Sequence, residues 1–358
     1  MSDYFISEIR KTDRTGIAQV DRLLAAEGIR RDGNLDYICG LFDDDYELIG
    51  TGSCFGNTLR CMAVSRDHQG EGLLAQIITH LMDVQFSRGN THLFVYTKCD
   101  SEKFFKDLGF SRIVRIEDQV VFMENRRDGF QRYLERLKRE TAGSGVAGAE
   151  DAAGKDAAAV VMNANPFTRG HLHLVETEAA KHALVHIFMV SEEASLVPFP
   201  VRRRLILEGT AHLKNLVFHD SGPYIISAAT FPSYFQKDGS AVIESHARLD
   251  LEIFTRIAAA TGITSRAVGE EPKSLVTGIY NRIMREELPK AGIGVDIIPR
   301  FEVDGVPVSA SDVRSVIKKG DMQKLAALVP ESTRRFFESP EAAPVIARIR
   351  AAENVVHY

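Results

Sequence analysis

No apolar run in the sequence approaches the roughly 18–20 residues that a bilayer-crossing helix needs, so neither a helical membrane span nor a membrane partner is expected. Met1–Arg10 carries no apolar signal core, and a cytoplasmic location is expected on that ground. Cysteine is scarce. The four residues Cys39, Cys54, Cys61 and Cys99 all fall in the first third and form no CxxC pair. That spacing argues against a zinc site and for reduced structural thiols. An excess of positive charge is missing too. The formal net charge of −5 gives no general pull towards nucleic acid or anionic lipid, and no nucleic-acid partner is expected.

What is present is a globular composition, with 44% hydrophobic and 26% charged residues, in a chain too long at 358 residues for one ordinary core. The clearest composition shift is Thr141–Ala158, TAGSGVAGAEDAAGKDAA, which lacks the large apolar groups needed to order itself and reads as a linker. The expected organisation is a first domain over 1–140 closed by a charged helix at Gly129–Glu140, a linker over 141–158, a second domain over 159–345 and a tail over 346–358.

The first domain mixes strands, at Tyr37–Leu41, Glu47–Gly52, Leu59–Val64 and His92–Thr97, with helices at Leu73–Gln85 and Ser101–Leu108. The second alternates regularly. Strands are expected at Ala158–Asn163, Val185–Val190, Leu216–His219, Ser265–Gly269 and Val295–Pro299. Helices are expected at Gly170–His182, Val201–His212, Ser245–Thr261, Ser274–Glu287 and Ser311–Lys318. Such alternation predicts a parallel sheet covered by helices, with ligands beyond the carboxyl ends of the strands.

Asn163-Ala-Asn-Pro-Phe-Thr-Arg-Gly-His171 follows the first of these strands and opens the first helix. A helix start offers unpaired N–H groups and a positive dipole end, which suits phosphate. Thr168 supplies a hydroxyl donor, Gly170 permits close backbone approach, His171 can donate to a phosphate oxygen as charge gathers there, and Pro166 fixes the turn. Far downstream, Val308-Ser-Ala-Ser-Asp-Val-Arg314 follows the last strand. Ser309 or Ser311 can cap a helix, and Arg314 stands one turn in, making a second polyphosphate cradle. Glu270 and Glu271, at a strand's carboxyl end, suit ribose hydroxyls or a magnesium-bound water. In Arg202–Arg204 a surface helix face is favoured over a phosphate contact. Gly222–Glu244, with Tyr224, Phe231, Tyr234 and Phe235, reads either as a lid over a small pocket or as a structural excursion.

The two segments together resemble the paired signatures of the HxGH nucleotidyltransferase superfamily, with Thr168 in the first histidine's place. More narrowly, MNANPFTRGH, Val268–Pro272 with Tyr280-Asn281 following, and VSASDVR resemble the citrate lyase ligase family over nearly the whole chain. Val64–Ala75, with Gln69, Gly70 and Gly72, resembles the coenzyme A loop of GNAT acetyltransferases, although Leu74 replaces its small final residue. Phe104–Phe110 resembles the helix-to-strand end of the same fold.

These resemblances imply an α/β chain: a GNAT-like α+β domain followed by a Rossmann-like parallel-sheet nucleotidyltransferase domain. They imply that ATP, with Mg2+, and acetate give acetyl-adenylate and pyrophosphate. Acetyl then passes to the thiol of a coenzyme A-like prosthetic group on the citrate lyase acyl carrier subunit. His171 and Thr168 would act on the α-phosphate, and Ser309, Ser311 and Arg314 would hold pyrophosphate. Asn163, Asn165, Pro166, Phe167, Gly170, Gly269 and Glu270 would complete the ATP site. Gln69, Gly70 and Gly72 would hold the thiol arm. Two alternatives remain at this level: adenylyl transfer to a phosphopantetheine- or mononucleotide-like acceptor, and amine acetylation with an accessory nucleotide-binding domain.

Overall fold

A computed structural model describes residues 4–147, 149, 156–191, 195–225, 239–270 and 275–352, with backbone alone at 239–242 and 275–277. Seven strands build the first sheet, all but the exposed edge strand β1 carrying buried residues: β1 (Phe5–Glu8), β2 (Tyr37–Phe42), β3 (Leu48–Phe55), β4 (Thr58–Val64), β5 (Phe94–Thr97), β6 (Ser111–Ile116) and β7 (Val120–Glu124). Their order is β1-β2-β3-β4-β5-β7-β6, antiparallel except for the β4–β5 pair. That pair is bonded at Thr58↔Phe94 and Leu59↔Val95 alone. The two strands are no longer paired towards their carboxyl ends, and a cleft opens there. A parallel pair needs a crossover, and α2 (Leu73–Ser87) supplies it, burying Leu73, Ile77, Ile78 and Leu81 on the sheet. Helices α1 (Arg14–Ala26) and α3 (Glu102–Asp107) complete this GNAT-like unit.

The second sheet is parallel and has order β10-β9-β8-β11-β12: β8 (Ala157–Met162), β9 (Leu184–Met189), β10 (Leu216–Asp220), β11 (Ser265–Gly269) and β12 (Gly294–Ile298). β8 reads AAAVVM and is central, so both its faces are covered and its residues need no alternation. Successive crossovers leave β8 in opposite directions, which puts a crevice beyond its carboxyl end. Helices α5 (Arg169–Lys181), α6 (Phe199–Gly209), α7 (Gly239–Thr261), α8 (Leu275–Glu287) and α9 (Ala310–Lys319) follow the expected positions closely. A short hairpin, β13 (Glu302–Val303) and β14 (Val306–Pro307), leads into α9.

The chain divides into two compact units, one taking the described residues of Met1–Phe130 and Phe231–Leu249, the other those of Gln131–Thr230 and Asp250–Tyr358. Three boundaries differ from the expectation. Helix α4 (Gly129–Ala142), read as the end of the first domain, bonds Glu124 through the Phe130 N–H at its start, and from Gln131 onward it belongs to the second unit. Tyr133 packs 4.7 Å from Tyr224, Arg136 donates to the Asp220 carbonyl at 2.7 Å, and Glu140 bonds His219 at 2.7 Å. In the expected linker, Ala149 is buried with Leu184 and Val217, and Ala157–Ala158 belong to β8. Of the expected tail over 346–358, residues 346–351 are part of α12 (Ala343–Ala351), which follows α10 (Met322–Leu328) and α11 (Glu331–Glu338), and 353–358 lie outside the described residues. Ile349 of α12 has no exposed surface and joins the core of the parallel-sheet unit. Alternating arginines hide its narrow apolar stripe in the sequence. Of the long loop expected at 222–244, Tyr224 is a core residue at 3% exposure and Gly239 already starts α7, while Phe231, Tyr234 and Phe235 lie outside the described residues.

Candidate active site

The chain leaves β8 through Asn163–Phe167, and α5 starts at once. Every described bond of this turn pins it. The Asn163 amide pairs with Ser195 Oγ at 3.0 Å, Asn165 Oδ1 accepts from the Val197 N–H at 3.0 Å, and Thr333 Oγ1 donates to the Phe167 carbonyl at 2.9 Å. Arg202, 1% exposed, bridges the Asn163, Val190 and Val197 carbonyls at 2.7–2.9 Å. The sequence reading of a surface face holds for Arg203 and Arg204, which pair with Asp220 and Glu341, and not for Arg202. Phe167, expected at the nucleotide, is a core side chain with no exposure. Asn165 Nδ2 is a buried donor with no partner among the described residues.

Thr168 is the N-cap of α5, and its hydroxyl accepts from the His171 N–H at 3.3 Å. His171 closes the box in return. Its Nδ1 accepts from the Thr168 backbone N–H at 3.1 Å and lies 2.9 Å from Thr168 Oγ1. This bond has a chemical consequence. A nitrogen that accepts from a backbone N–H carries a lone pair, so the neutral ring holds its proton on Nε2. Thr168 is 1% exposed, and the hydroxyl read from the sequence as a donor accepts the cap bond from the His171 N–H.

The second segment closes against the first. Ser309 caps α9, accepting from the Asp312 N–H at 3.1 Å, and its Oγ lies 2.8 Å from Ser311 Oγ. A Cβ on Gly170 would stand 3.1 Å from the Val308 carbonyl oxygen. Glycine therefore lets the two helix starts approach. Arg314, 2% exposed, donates to the Asn165 carbonyl at 2.6 Å. Burial, with the charges of Arg300 and Arg314, pushes the His171 imidazole down to about 4. Gly269 ends β11, and the Glu270 carbonyl accepts from Arg300 Nε at 2.7 Å while its N–H bonds Ile298. Glu271 lies outside the described residues. Arg300 went unnoticed in the sequence because it sits beyond the fifth strand with no motif around it. Tyr280 is structural: its hydroxyl donates to Asp250, which also pairs with buried Arg266 at 3.2 Å.

A second depressed imidazole lies inside the same sheet. His186 on β9 faces His219 on β10 at 3.0 Å, and burial pushes it down to about 3. In the unfolded chain both His171 and His186 take up a proton near 6.5. In the fold they do not until about 4 and about 3. Their contribution is therefore complete above pH 6.5 and declines as pH falls, by up to about 1.4 kcal/mol per pH unit for each group. The urea midpoint should drop between pH 7 and pH 5. A flat midpoint would mean that the rings are protonated in the fold.

In the GNAT-like unit the splayed ends of β4 and β5 border a cavity of about 550 Å³, lined by Val64, Gln69, Gly70, Gly72, Tyr96 and Phe104 among others. Gly70 and Gly72 have φ of +92° and +77°, which only glycine adopts at little cost, and Gly72 is the N-cap of α2. The start of α2 thus borders an open cleft.

Residues 157–337 match the family described as the citrate lyase ligase C-terminal domain. The chain is 34% identical to the citrate (pro-3S)-lyase ligase of Escherichia coli K12 over 339 residues, 93% of each chain. To the protein of the same name from Klebsiella pneumoniae it is 38% identical over 295 residues, 81% of this chain and 83% of that one. Among solved structures, a putative acyl-CoA N-acyltransferase from Klebsiella pneumoniae is matched over 34% of this chain and 95% of that one, at 17% identity and a TM-score of 0.28.

Proposed function

Because the chain belongs to the citrate lyase ligase family, we propose that it activates acetate with ATP and acetylates the thiol prosthetic group of the citrate lyase acyl carrier subunit. An acetate oxygen attacks the α-phosphorus, the bond to the β-phosphate oxygen breaks, and pyrophosphate leaves. The acetyl-adenylate is then opened by the carrier thiol, releasing AMP. Negative charge grows on the α-phosphate oxygens as the first bond forms, and His171 Nε2–H is the group held to meet it. A ring kept neutral at pH 7 and locked in one tautomer donates without reorganising. Thr168 is a positioning residue in this reading, acting through the His171 ring. Ser309, Ser311 and the N–H groups at the starts of α5 and α9 hold the departing pyrophosphate, and Asn165 Nδ2 is a spare donor for the nucleotide. Mg2+ enters as the companion of the ATP phosphates.

The observation that carries the reading is the meeting of the two segments. The Val308 carbonyl stands against Gly170, and Arg314 is bonded to the Asn165 carbonyl. The test is exchange of labelled pyrophosphate into ATP, with Mg2+ and without carrier. Exchange that requires acetate supports the proposal. Exchange that ignores acetate and responds to a phosphopantetheine or a mononucleotide would replace it with adenylyl transfer to a phosphorylated acceptor.

The cleft of the GNAT-like unit suits the coenzyme A-like arm of the carrier. Gly70→Ala with Gly72→Ala should leave acetate-dependent exchange within about twofold, because the strain of roughly 1–2 kcal/mol per residue falls on the loop alone. Thioester formation on the carrier should fall by about tenfold or more, since displaced N–H groups no longer meet the arm's pyrophosphate. Equal loss of both steps would contradict this division of labour.

A further inference from the structure

At the other end of α5 from His171, three ligand atoms converge. Glu178 is the last-turn carboxylate of the helix and has no exposed surface, and His182 follows one turn later as the C-cap residue. Asp296 reaches in from β12. His182 Nε2 lies 3.3 Å from Glu178 Oε2 and 3.7 Å from Asp296 Oδ2, and no two of the three ligand atoms are further than 4.8 Å apart. Ligands placed about 2.1 Å from one ion stand roughly 3.0–3.4 Å from each other, so the two separations from His182 Nε2 are already close to what an ion needs.

Two further observations point to a cation. First, Glu178 Oε2 and His182 Nε2 are both buried and unsatisfied by any hydrogen bond among the described residues, although they face each other. A buried carboxylate oxygen left so is costly unless something positive meets it. Second, the far side of the imidazole is already oriented. His182 Nδ1 lies 2.6 Å from Asp156 Oδ1, so the ring donates Nδ1–H to a carboxylate and presents the Nε2 lone pair to the cluster. A carboxylate behind the ring is the usual support of a metal-bound histidine. The backbone is held as well, with the His182 N–H on the Glu178 carbonyl and Asn215 Nδ2 on the His182 carbonyl at 2.9 Å. Glu178, Asp296 and Asp156 carry three negative charges. Lys181, on Glu178 Oε1 at 3.2 Å, returns one, leaving a deficit of two that matches a divalent ion.

We propose that Glu178, His182 and Asp296 bind a first-row divalent cation that ties α5 to β12 at the edge of the sheet remote from the phosphate motifs. One imidazole among oxygens favours Mn2+ or Zn2+ over Mg2+. The site is independent of the nucleotide reading.

The experiment uses the full chain, stripped by a chelator and free of nucleotide, and follows Mn2+ by loss of the free-ion EPR signal. One Mn2+ per chain is expected, displaced by Zn2+ and not by a tenfold excess of Mg2+. Asp296→Asn, at a side chain with 36% exposure, should weaken binding at least tenfold with an unchanged circular dichroism spectrum. Asp156→Asn, which touches no ion, should weaken it by about 10–100-fold. Lack of a saturable site, retention of full affinity in both variants, or equal displacement by Mg2+ would each overturn the assignment.

Discussion

Replacing His171 by alanine is expected to reduce acetate-dependent pyrophosphate exchange by about two to three orders of magnitude, the loss of roughly 3 kcal/mol seen when one preorganised donor to a developing oxyanion is removed. The fold should survive, because the cap of α5 is made by Thr168 and the deletion removes only its reciprocal half. The KM for ATP should change little, since the donor is matched to charge that appears only in the transition state. The same geometry fixes the pH behaviour. With the imidazole held down to about 4, the ring is neutral throughout pH 5.5–8.5, and the ratio of wild-type to His171→Ala rates should be constant across that range. A ratio that grows as pH falls through 6.5 would identify an imidazolium as the active form and would contradict the tautomer set by the Thr168 N–H. Thr168→Ser should be nearly silent and Thr168→Val should lower kcat, because the side chain acts by holding the ring.

The parallel-sheet unit was legible because its strands are short, apolar and bounded by turn residues, and its helices carry the 3.6-residue period. The Asn163–His171 and Val308–Arg314 segments stood out for a related reason: each leads into a helix start, where backbone geometry restricts residue choice. What stayed hidden has no local signature. Arg202 looks like a surface helix residue until the fold puts the carbonyls of Asn163, Val190 and Val197 around it, and Arg314, read from its motif as a phosphate ligand, gives no sign in the sequence of its bond to the Asn165 carbonyl. Thr168 was legible as a hydroxyl donor, and only the bond from the His171 N–H shows that the cap takes the hydroxyl. The strands β1, β6 and β7 and the helix α1 were not distinguished: arginines and acids interrupt the apolar pattern of β6 and α1, and β1 and β7 are only four and five residues long. Glu178, His182 and Asp296 are spread over more than a hundred positions of sequence and meet only through the packing of α5 on the sheet.

Arg314 gives the second large effect, and its substitutions separate two roles. The guanidinium is 2% exposed and donates to the Asn165 carbonyl, so Arg314→Met leaves that carbonyl without its charged donor. A stability loss of about 1.5–3 kcal/mol is expected from the missing hydrogen bond, with exchange reduced by about 100-fold or more as the two helix starts lose register. Arg314→Lys keeps the charge and gives up the planar fork. If Arg314 serves only to hold the Asn163–Phe167 turn, exchange at saturating ATP should track the melting temperature across the two variants. If it also bears on the departing pyrophosphate, the lysine variant should melt within a few degrees of the parent and still exchange about tenfold more slowly. The double variant with His171→Ala decides how the residues act together. In the proposed reading both act on one phosphate chain, so the combined loss should fall well short of the product of the two single losses. A fully multiplicative loss would mean that Arg314 and His171 stabilise different steps.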